Sequence, residues 1–558
     1  MKSSLCFVLA LLAVAAGALA FRLPGLDRRP MHVDEAVQAV KFGALLETGV
    51  YRYDPDEYHG PTLNYATLVT AWLGAAPGKT LAQINEFTCR IVPALFGVGT
   101  VLLLILLVDG LGWPATILAA IFTAISPAMV FYNRYYIHES LLVFFTLGFI
   151  GSAWRYVQGR KTGWALLAGA FLGLMHATKE TFVLSCAAML AACVGVIVLN
   201  RRGMRNEDRG VRSEQCSLLV PLSSILVVAV IVSVVLFSSF FTDWQGVVDS
   251  VRTYFAWSKR AGGATLHNHP WYFYLRLLLF YKEEGGPAWT EGLIVLLALV
   301  GFVTAMWGHG IAPLATAEFP SLGGEGRVRG LTLARFLALY TLVLTAIYSF
   351  ISYKTPWCLL TFLHGMILLA ALGAVAIIRS LPHAALKGLA CVLLVAGLSH
   401  LGWEAYRASF NSRHYADWRN PYVYAHTTND IRNFAARMDE LAQIHARGYD
   451  MLVKVIARDY WPVPWYMRRF RQVGYWHEPP DDADAPVIIS SMTIPDEESA
   501  GAEAKQAEPD MEALLKPVLH ARYHKEYFGS RPGVFLLLFV EQGLWDEFVK
   551  HRTAGAKN

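Results

Sequence analysis

Long apolar runs broken by short polar turns recur from the N-terminus to about residue 402. Examples are "VLLLILLV" from Val101, "LLVFFTLGFIGSAW" from Leu141 and "SILVVAVIVSVVLF" from Ser224. A run of about 20 apolar residues with few charges is long enough to cross a bilayer as a helix. The pattern predicts eleven such segments, at 4–22, 90–109, 113–131, 140–157, 163–178, 181–200, 217–240, 289–307, 332–352, 358–378 and 386–402. Beyond residue 403 the pattern changes to short strands, "MLVKVIARD", "APVIISSMTI" and "GVFLLLFVE". Among them "TTNDIRNFAARMDELAQIHAR" reads as an amphipathic helix. Its cap is Thr428 or Asn429, and Ile431, Phe434, Met438 and Leu441 share one face. "DEESAGAEAKQAEPD" is an acidic loop of the same region. The expected fold is a polytopic α-helical membrane protein: a transmembrane domain over 1–402 and an extracytoplasmic α/β domain over 403–558.

The connections sort into two sides. Those near 158–162, 201–216, 308–331 and 379–385 carry Arg155, Arg160, Lys161, Arg201, Arg202, Arg205, Arg209, Arg212, Arg327, Arg329, Arg379 and Lys387. Basic residues in short loops mark the cytoplasmic side. The outer side then holds the loops 23–89 and 241–288 and the tail, although Arg22, Arg28 and Arg29 run against the bias. The first apolar run ends in "ALA", which resembles a signal-peptide cleavage site. A retained anchor helix fits the alternation of sides better. In the first outer loop, Val33, Val37, Val40 and Ala44 recur at helical spacing, so "VDEAVQAVKFGALLETG" is expected to lie as an amphipathic helix on the membrane surface.

Composition agrees with a membrane chain. Of 558 residues 55% are hydrophobic and 16% charged, against about a quarter charged in a soluble protein. A net charge of +5 gives no case for nucleic-acid binding. The seven cysteines include no CxxC pair, and none follows Cys391, which argues against a disulfide framework or a cysteine zinc site.

The chemistry collects on the outer side. Asp34 and Glu35 follow the first span, and Arg134, His138 and Glu139 lie in "NRYYIHES". Lys179 and Glu180 sit at the hairpin tip "ATKET", His267 and His269 in "LHNHPWYFYL", and Tyr353, Lys354 and Trp357 in "SYKTPWC". Ionisable residues near membrane depth are costly and tend to be functional, though at helix ends long side chains also snorkel to the interface. Asp34 and Glu35 would occupy a helix's first turn, where the macrodipole favours negative charge. Adjacent helical residues project about 100° apart, so the two carboxylates are not one unit. Cations at Arg134, Lys179 and Lys354 suit a phosphate. A phosphate on a lipid-soluble molecule at this surface suggests a polyprenyl-phosphate carrier.

These motifs resemble those of lipid-dependent GT-C glycosyltransferases, a superfamily that includes protein O-mannosyltransferases and aminoarabinose transferases of lipid A. "DEAVQAVKFGALLETGVYRYDPDEYHGP", "SPAMVFYNRYYIHE", "ATKET", "HNHPWYFYL" and "YKTPW" look most similar to a bacterial and archaeal subgroup described as flippase-activity-associated. The resemblance implies Asp34 as catalytic base with Glu35 in support, and Glu139 as a second acidic position. It also implies Lys179 on carrier phosphate, with Lys354 and Arg134 contributing, and Tyr58, His59 and Arg90 on the same outer surface. The expected reaction is inverting transfer of a sugar from a polyprenyl-phosphate carrier to an acceptor hydroxyl on protein, lipid or glycan. It would take place at the outer face of a bacterial or archaeal cell membrane. Glu35, His138, Glu139, His267 and His269 are candidate oxygen and nitrogen ligands for a divalent cation, although their spacing matches no established ligand motif. The alternative reading is a lipid-linked sugar flippase or an accessory protein without transfer chemistry.

Overall fold

The computed structural model describes residues 2–56, 59–74, 80–203, 219–262, 267–308, 323–494 and 511–555. All eleven apolar segments are helical. Six are long and apolar enough to cross a membrane: Glu86–Leu111, Glu139–Gly159, Phe182–Asn200, Gly330–Phe350, Pro356–Ser380 and Ala384–Phe410. Leu5–Ala20, Thr162–His176, Leu222–Phe237 and Gly292–Trp307 are shorter apolar helices. Trp113–Ile125 and Pro127–Asn133 form one broken helix, bent by 58°. The break is local chemistry: Pro127 lacks an N–H and cannot continue the preceding turn. Ser126 restarts the helix by accepting from the Met129 amide. Close helix crossing relies on glycine. A Cβ on Gly301 would lie 2.0 Å from the Leu369 carbonyl oxygen, and one on Gly373 2.1 Å from that of Leu297. Small residues at such crossings let backbones approach, which replaces the hydrophobic drive that lipid removes.

Three features depart from expectation. The helix Val33–Thr48 forms in the loop after the first apolar helix, but its buried face is Ala36, Ala39, Phe42 and Leu45 rather than Val33, Val37, Val40 and Ala44. The valines stay half-exposed, because the packed surface lies one position round the helix. Secondly, the last apolar helix continues to Phe410, beyond the expected end at 402. Thirdly, the tail sheet has five strands: β1 (Leu452–Ile456), β2 (Gln472–Trp476), β3 (Val487–Thr493), β4 (Tyr523–Arg531) and β5 (Val534–Glu541). Their order is β2-β1-β3-β5-β4, with β1 parallel to β2 and β3, and β5 antiparallel to β3 and β4. The two strands not foreseen, β2 and β4, are the edges. Edge strands carry polar residues that discourage further pairing, so they lack the apolar signature.

Phe434, Met438 and Leu441 of the helix Ile431–Ile444 pack on one sheet face with Val453, Ile489 and Leu538. Its cap is Asp430, not Thr428 or Asn429, and that carboxylate accepts from the Gly529 amide at 2.6 Å, tying the helix to β4. The acidic loop lies outside the described residues. Sheet domain and bundle meet at Glu291, a fully buried carboxylate that accepts from Ser126 Oγ at 2.5 Å, the Ala128 amide at 2.9 Å and the Tyr422 hydroxyl at 2.7 Å. Tyr422 belongs to the tail, and the other two groups sit at the helix break.

Candidate active site

The adjacent carboxylates Asp34 and Glu35 have different surroundings. Glu35 is fully buried and receives Arg90 through two bonds, Nε to Oε1 and Nη2 to Oε2, both 2.6 Å. The Tyr136 amide (2.8 Å) and the His32 amide (3.0 Å) donate to it as well. With His32 as cap this completes a capping box that starts the helix. Burial alone would raise the Glu35 pKa, but the Arg90 charge and its hydrogen bonds hold the carboxyl below its usual value. Arg90 also donates to the carbonyls of Leu26, Arg29 and Pro30, so it shapes the whole loop ahead of the helix.

Asp34 is half-exposed, and its carboxylate has no hydrogen-bond donor or ion-pair partner among the described residues. Its charge acts on Tyr135, His267, Tyr424 and Arg531. His32 lies beneath it, packed among Tyr135, Trp357 and His426 at ring separations of 5.1, 6.0 and 4.7 Å. The tail closes over this group. The Tyr466 hydroxyl accepts from the Met31 amide (2.9 Å), Thr427 Oγ1 donates to the Met31 carbonyl (2.7 Å), and the Tyr424 carbonyl lies 2.8 Å from His32 Nε2. Arg531, on β4, is paired with Asp459, and its Nε is buried without a partner.

His267 joins Asp34 to a second segment. Its Nδ1 is 2.6 Å from the Tyr424 hydroxyl and its ring 4.8 Å from that of Tyr353. The Lys354 amide donates to the His267 carbonyl (2.9 Å), and the His269 amide to that of Ser352 (3.0 Å). This short bridge fixes the Lys354 ammonium, which donates to the carbonyls of His269 (3.0 Å) and Ile351 and has no carboxylate partner among the described residues. Burial lowers its pKa. Leading away from Ile351 is an apolar groove of about 630 Å³ lined by Leu342, Val343, Ala346, Ile347 and Phe350.

A third group surrounds Lys179. The Gly60 amide donates to the Thr178 carbonyl and the Thr62 amide to that of Ala177, both at 3.1 Å. Only glycine permits this: a Cβ at residue 60 would lie 2.2 Å from the Ala177 carbonyl oxygen. The contact seats His59 Nδ1 2.8 Å from Glu180 Oε2, with the Tyr53 hydroxyl donating to Oε1 at 2.9 Å. Burial would raise the Glu180 pKa, but the His59 charge and hydrogen bond lower it. His138 Nε2 lies 2.9 Å from the Gly60 carbonyl, and burial lowers the pKa of its ring. Lys179 is ion-paired with Glu139; burial opposes its charge, yet Glu139 holds its pKa above the usual value.

Of the residues singled out in the sequence, Asp34, His267, Tyr353, Lys354 and Trp357 therefore gather in one region. Glu139, Lys179, His138, His59 and Glu180 form a neighbouring one, and Tyr58 lies outside the described residues. Arg134 joins neither: its guanidinium donates to the carbonyls of Arg22 and Gly25 and lies over the Phe410 ring. Among the described residues, no three His, Cys, Asp or Glu side chains are placed to hold a metal ion. Tyr424 and His426 were not foreseen, because they come from the tail and carry no local motif; Tyr466 and Arg531 lie in the tail stretches "WPVPWYMRR" and "RPGVFLLL", which also resemble the subgroup, but no site role was expected of either.

Residues 64–243 match the family model described as dolichyl-phosphate-mannose-protein mannosyltransferase. No curated protein matches the chain. Among solved structures, ArnT from Cupriavidus metallidurans bound to undecaprenyl phosphate aligns at TM-score 0.54 and 13% identity, over 96% of this chain and 98% of its own. The chain shares the fold of ArnT. The same protein in its apo state aligns equally well, at TM-score 0.54. A partial match, at TM-score 0.35 and 18% identity, is the S. cerevisiae protein O-mannosyltransferase Pmt1–Pmt2 complex bound to the sugar donor; it covers 44% of this chain and 34% of that one. The GT-C resemblance expected from the motifs is borne out at the level of fold, and the chain is a multi-pass membrane protein with a C-terminal sheet domain.

Proposed function

We propose that the protein transfers a sugar from a polyprenyl-phosphate carrier to an acceptor hydroxyl, with Asp34 as general base. The observation that carries this reading is the contrast within the pair: Glu35 is committed to Arg90, whereas Asp34 has an unpaired carboxylate whose charge acts on Tyr135 of the bundle and on Tyr424 and Arg531 of the tail. Lys354, held through the His267 bridge at the end of the apolar groove, is the cation best placed for the carrier phosphate. Lys179 already has Glu139 as its partner, so its part is to order the adjoining turn or to reach the phosphate after exchange. The prenyl chain would lie along Leu342–Ile351, where lipid-facing apolar surface leads to the ammonium.

Asp34 would take the acceptor's hydroxyl proton as the oxygen attacks the anomeric carbon from the side opposite the phosphate. The carbon–oxygen bond to phosphate breaks, its electron pair leaves on the phosphate oxygen, and the anomeric configuration inverts. Lys354 neutralises the charge that develops on that oxygen, a type of stabilisation most effective in a water-poor site. ArnT was solved with undecaprenyl phosphate bound, which supports a polyprenyl donor for a shared fold. The outer face of a bacterial or archaeal cell membrane is the location consistent with such a donor.

The test is the protein in lipid nanodiscs with a radiolabelled polyprenyl-phosphate hexose or pentose and a membrane extract as acceptor. Label should pass to acceptor with inverted configuration, and Lys354→Met should raise KM for the carrier about tenfold or more. Movement of intact carrier across the bilayer without release of free polyprenyl phosphate would replace transfer by transport.

A further inference from the structure

Behind the Asp34 region, four buried guanidinium groups share one buried carboxylate. Arg22 is fully buried, and Arg29, Arg90 and Arg134 are 8%, 1% and 6% exposed. Among the described residues, Glu35 is the one buried carboxylate in ion-pair contact with any of them, 2.6 Å from Arg90 and 4.0 Å from Arg29. The remaining donors meet neutral groups. Arg22 donates to the carbonyls of Thr123 and Ala124 and to Asn133 Oδ1, each at 2.9 Å, while Arg29 Nη2 donates to the Arg134 carbonyl at 3.0 Å. Buried charge is normally paired, and this cluster is not balanced. Burial, with the neighbouring arginines, lowers Arg134 to about 9, and burial lowers Arg29 to about 10.

Between these groups lies a cavity of about 20 Å³, lined by Arg28, Arg29, Arg90, Arg134, Ser409 and Tyr415 among others. That volume is somewhat more than one water-sized sphere needs. Two donors in its wall, Arg29 Nε and Ser409 Oγ, are buried without any hydrogen-bond partner. Arg28 is exposed, so a cation stands at the solvent side. We propose that this cavity is a binding site for a monatomic anion of chloride size, held by Arg29, Arg134 and Ser409 and entered past Arg28. The bound anion balances the cluster and stiffens the loop that Arg90 and Glu35 hold. The site does not depend on which reaction the protein catalyses.

The probe is chloride or bromide at constant ionic strength, with gluconate as the counter-anion. Thermal unfolding of the purified protein should shift up saturably in chloride and bromide, by about 2 °C or more once the anion exceeds its dissociation constant a hundredfold. Sulfate should give no such shift. Ser409→Ala should weaken the halide response, and Arg29→Gln should abolish it. Because Arg29→Gln also removes a buried donor to the Arg134 carbonyl, anomalous diffraction from crystals grown in bromide provides an independent readout. A bromide peak among Arg28, Arg29, Arg90 and Arg134 upholds the site. An empty cavity at bromide concentrations that saturate the shift overturns it, as does an equal shift in sulfate or gluconate.

Discussion

Replacing Glu35 by Gln should unfold the protein sooner while the same change at Asp34 leaves stability almost untouched. The carboxylate of Glu35 is fully buried and bonded twice to Arg90, itself 1% exposed. Removing one member of a buried pair strands the other charge, at a cost of about 3–5 kcal/mol. The carbonyls of Leu26, Arg29 and Pro30 still accept from Arg90, so the lower end of that range is expected. Asp34 makes no comparable bond, and its loss forfeits about 1 kcal/mol or less of interaction with the helix N-terminus. Unfolding followed in detergent by intrinsic fluorescence should therefore give a Tm about 2 °C or more lower for Glu35→Gln than for Asp34→Asn. The double variant Glu35→Gln, Arg90→Gln should be less destabilised than the sum of its singles, because the stranded charge is gone. Equal Tm values for the two single variants, or strict additivity in the double, would refute the division of roles.

Gly60→Ala drives a Cβ into the Ala177 carbonyl. It should cost about 1–3 kcal/mol and lower activity roughly a hundredfold by displacing His59 and the Lys179 turn; a wild-type Tm and rate would contradict that clamp. Arg531→Gln should change KM for acceptor or the pH–rate profile while leaving carrier binding intact, since Arg531 reaches Asp34 from the tail; an unchanged profile would remove it from the site. Stability should also fall in acid. Glu35 and Glu180 are both held below their ordinary pKa, so their stabilisation is complete above the unfolded value. It is lost as pH drops through the depressed folded values. A Tm that stays flat from pH 6 down to pH 3 would show that these pairs contribute nothing.

The membrane helices were legible because lipid forces every span to be apolar and helical, so Val101, Leu141 and Ser224 open runs that admit one reading. The valines of the outer helix misled because apolar spacing marks an apolar stripe but not what it packs against; there, alanines fit where valines do not. The edge strands β2 and β4 were hidden for the opposite reason: their polar residues serve to stop pairing, not to fill a core. Asp34 and Glu35 already had different expected roles in the chain, but the partner that commits Glu35 is 55 residues away and only geometry shows it. Arg134 looked like a phosphate ligand, yet its guanidinium lies against the Arg22 and Gly25 carbonyls and over the Phe410 ring, apart from Lys354 and Lys179. The same geometry accounts for Arg22 and Arg29, which opposed the charge bias of the loops: both are buried structural groups and not free loop charges. Tyr424 reaches the site from a domain hundreds of positions downstream and no local pattern marks it, while Arg531 opens the tail stretch "RPGVFLLL", whose sequence does not say which part of the bundle it faces.

The most direct measurement is sugar transfer by Asp34→Asn from a radiolabelled polyprenyl-phosphate sugar, alongside its binding of polyprenyl phosphate alone. The account predicts binding within a few-fold of wild type, an unchanged Tm and a transfer rate lower by a factor of about 10²–10⁴, the usual contribution of a general base. Transfer at the wild-type rate by a folded Asp34→Asn protein would contradict it.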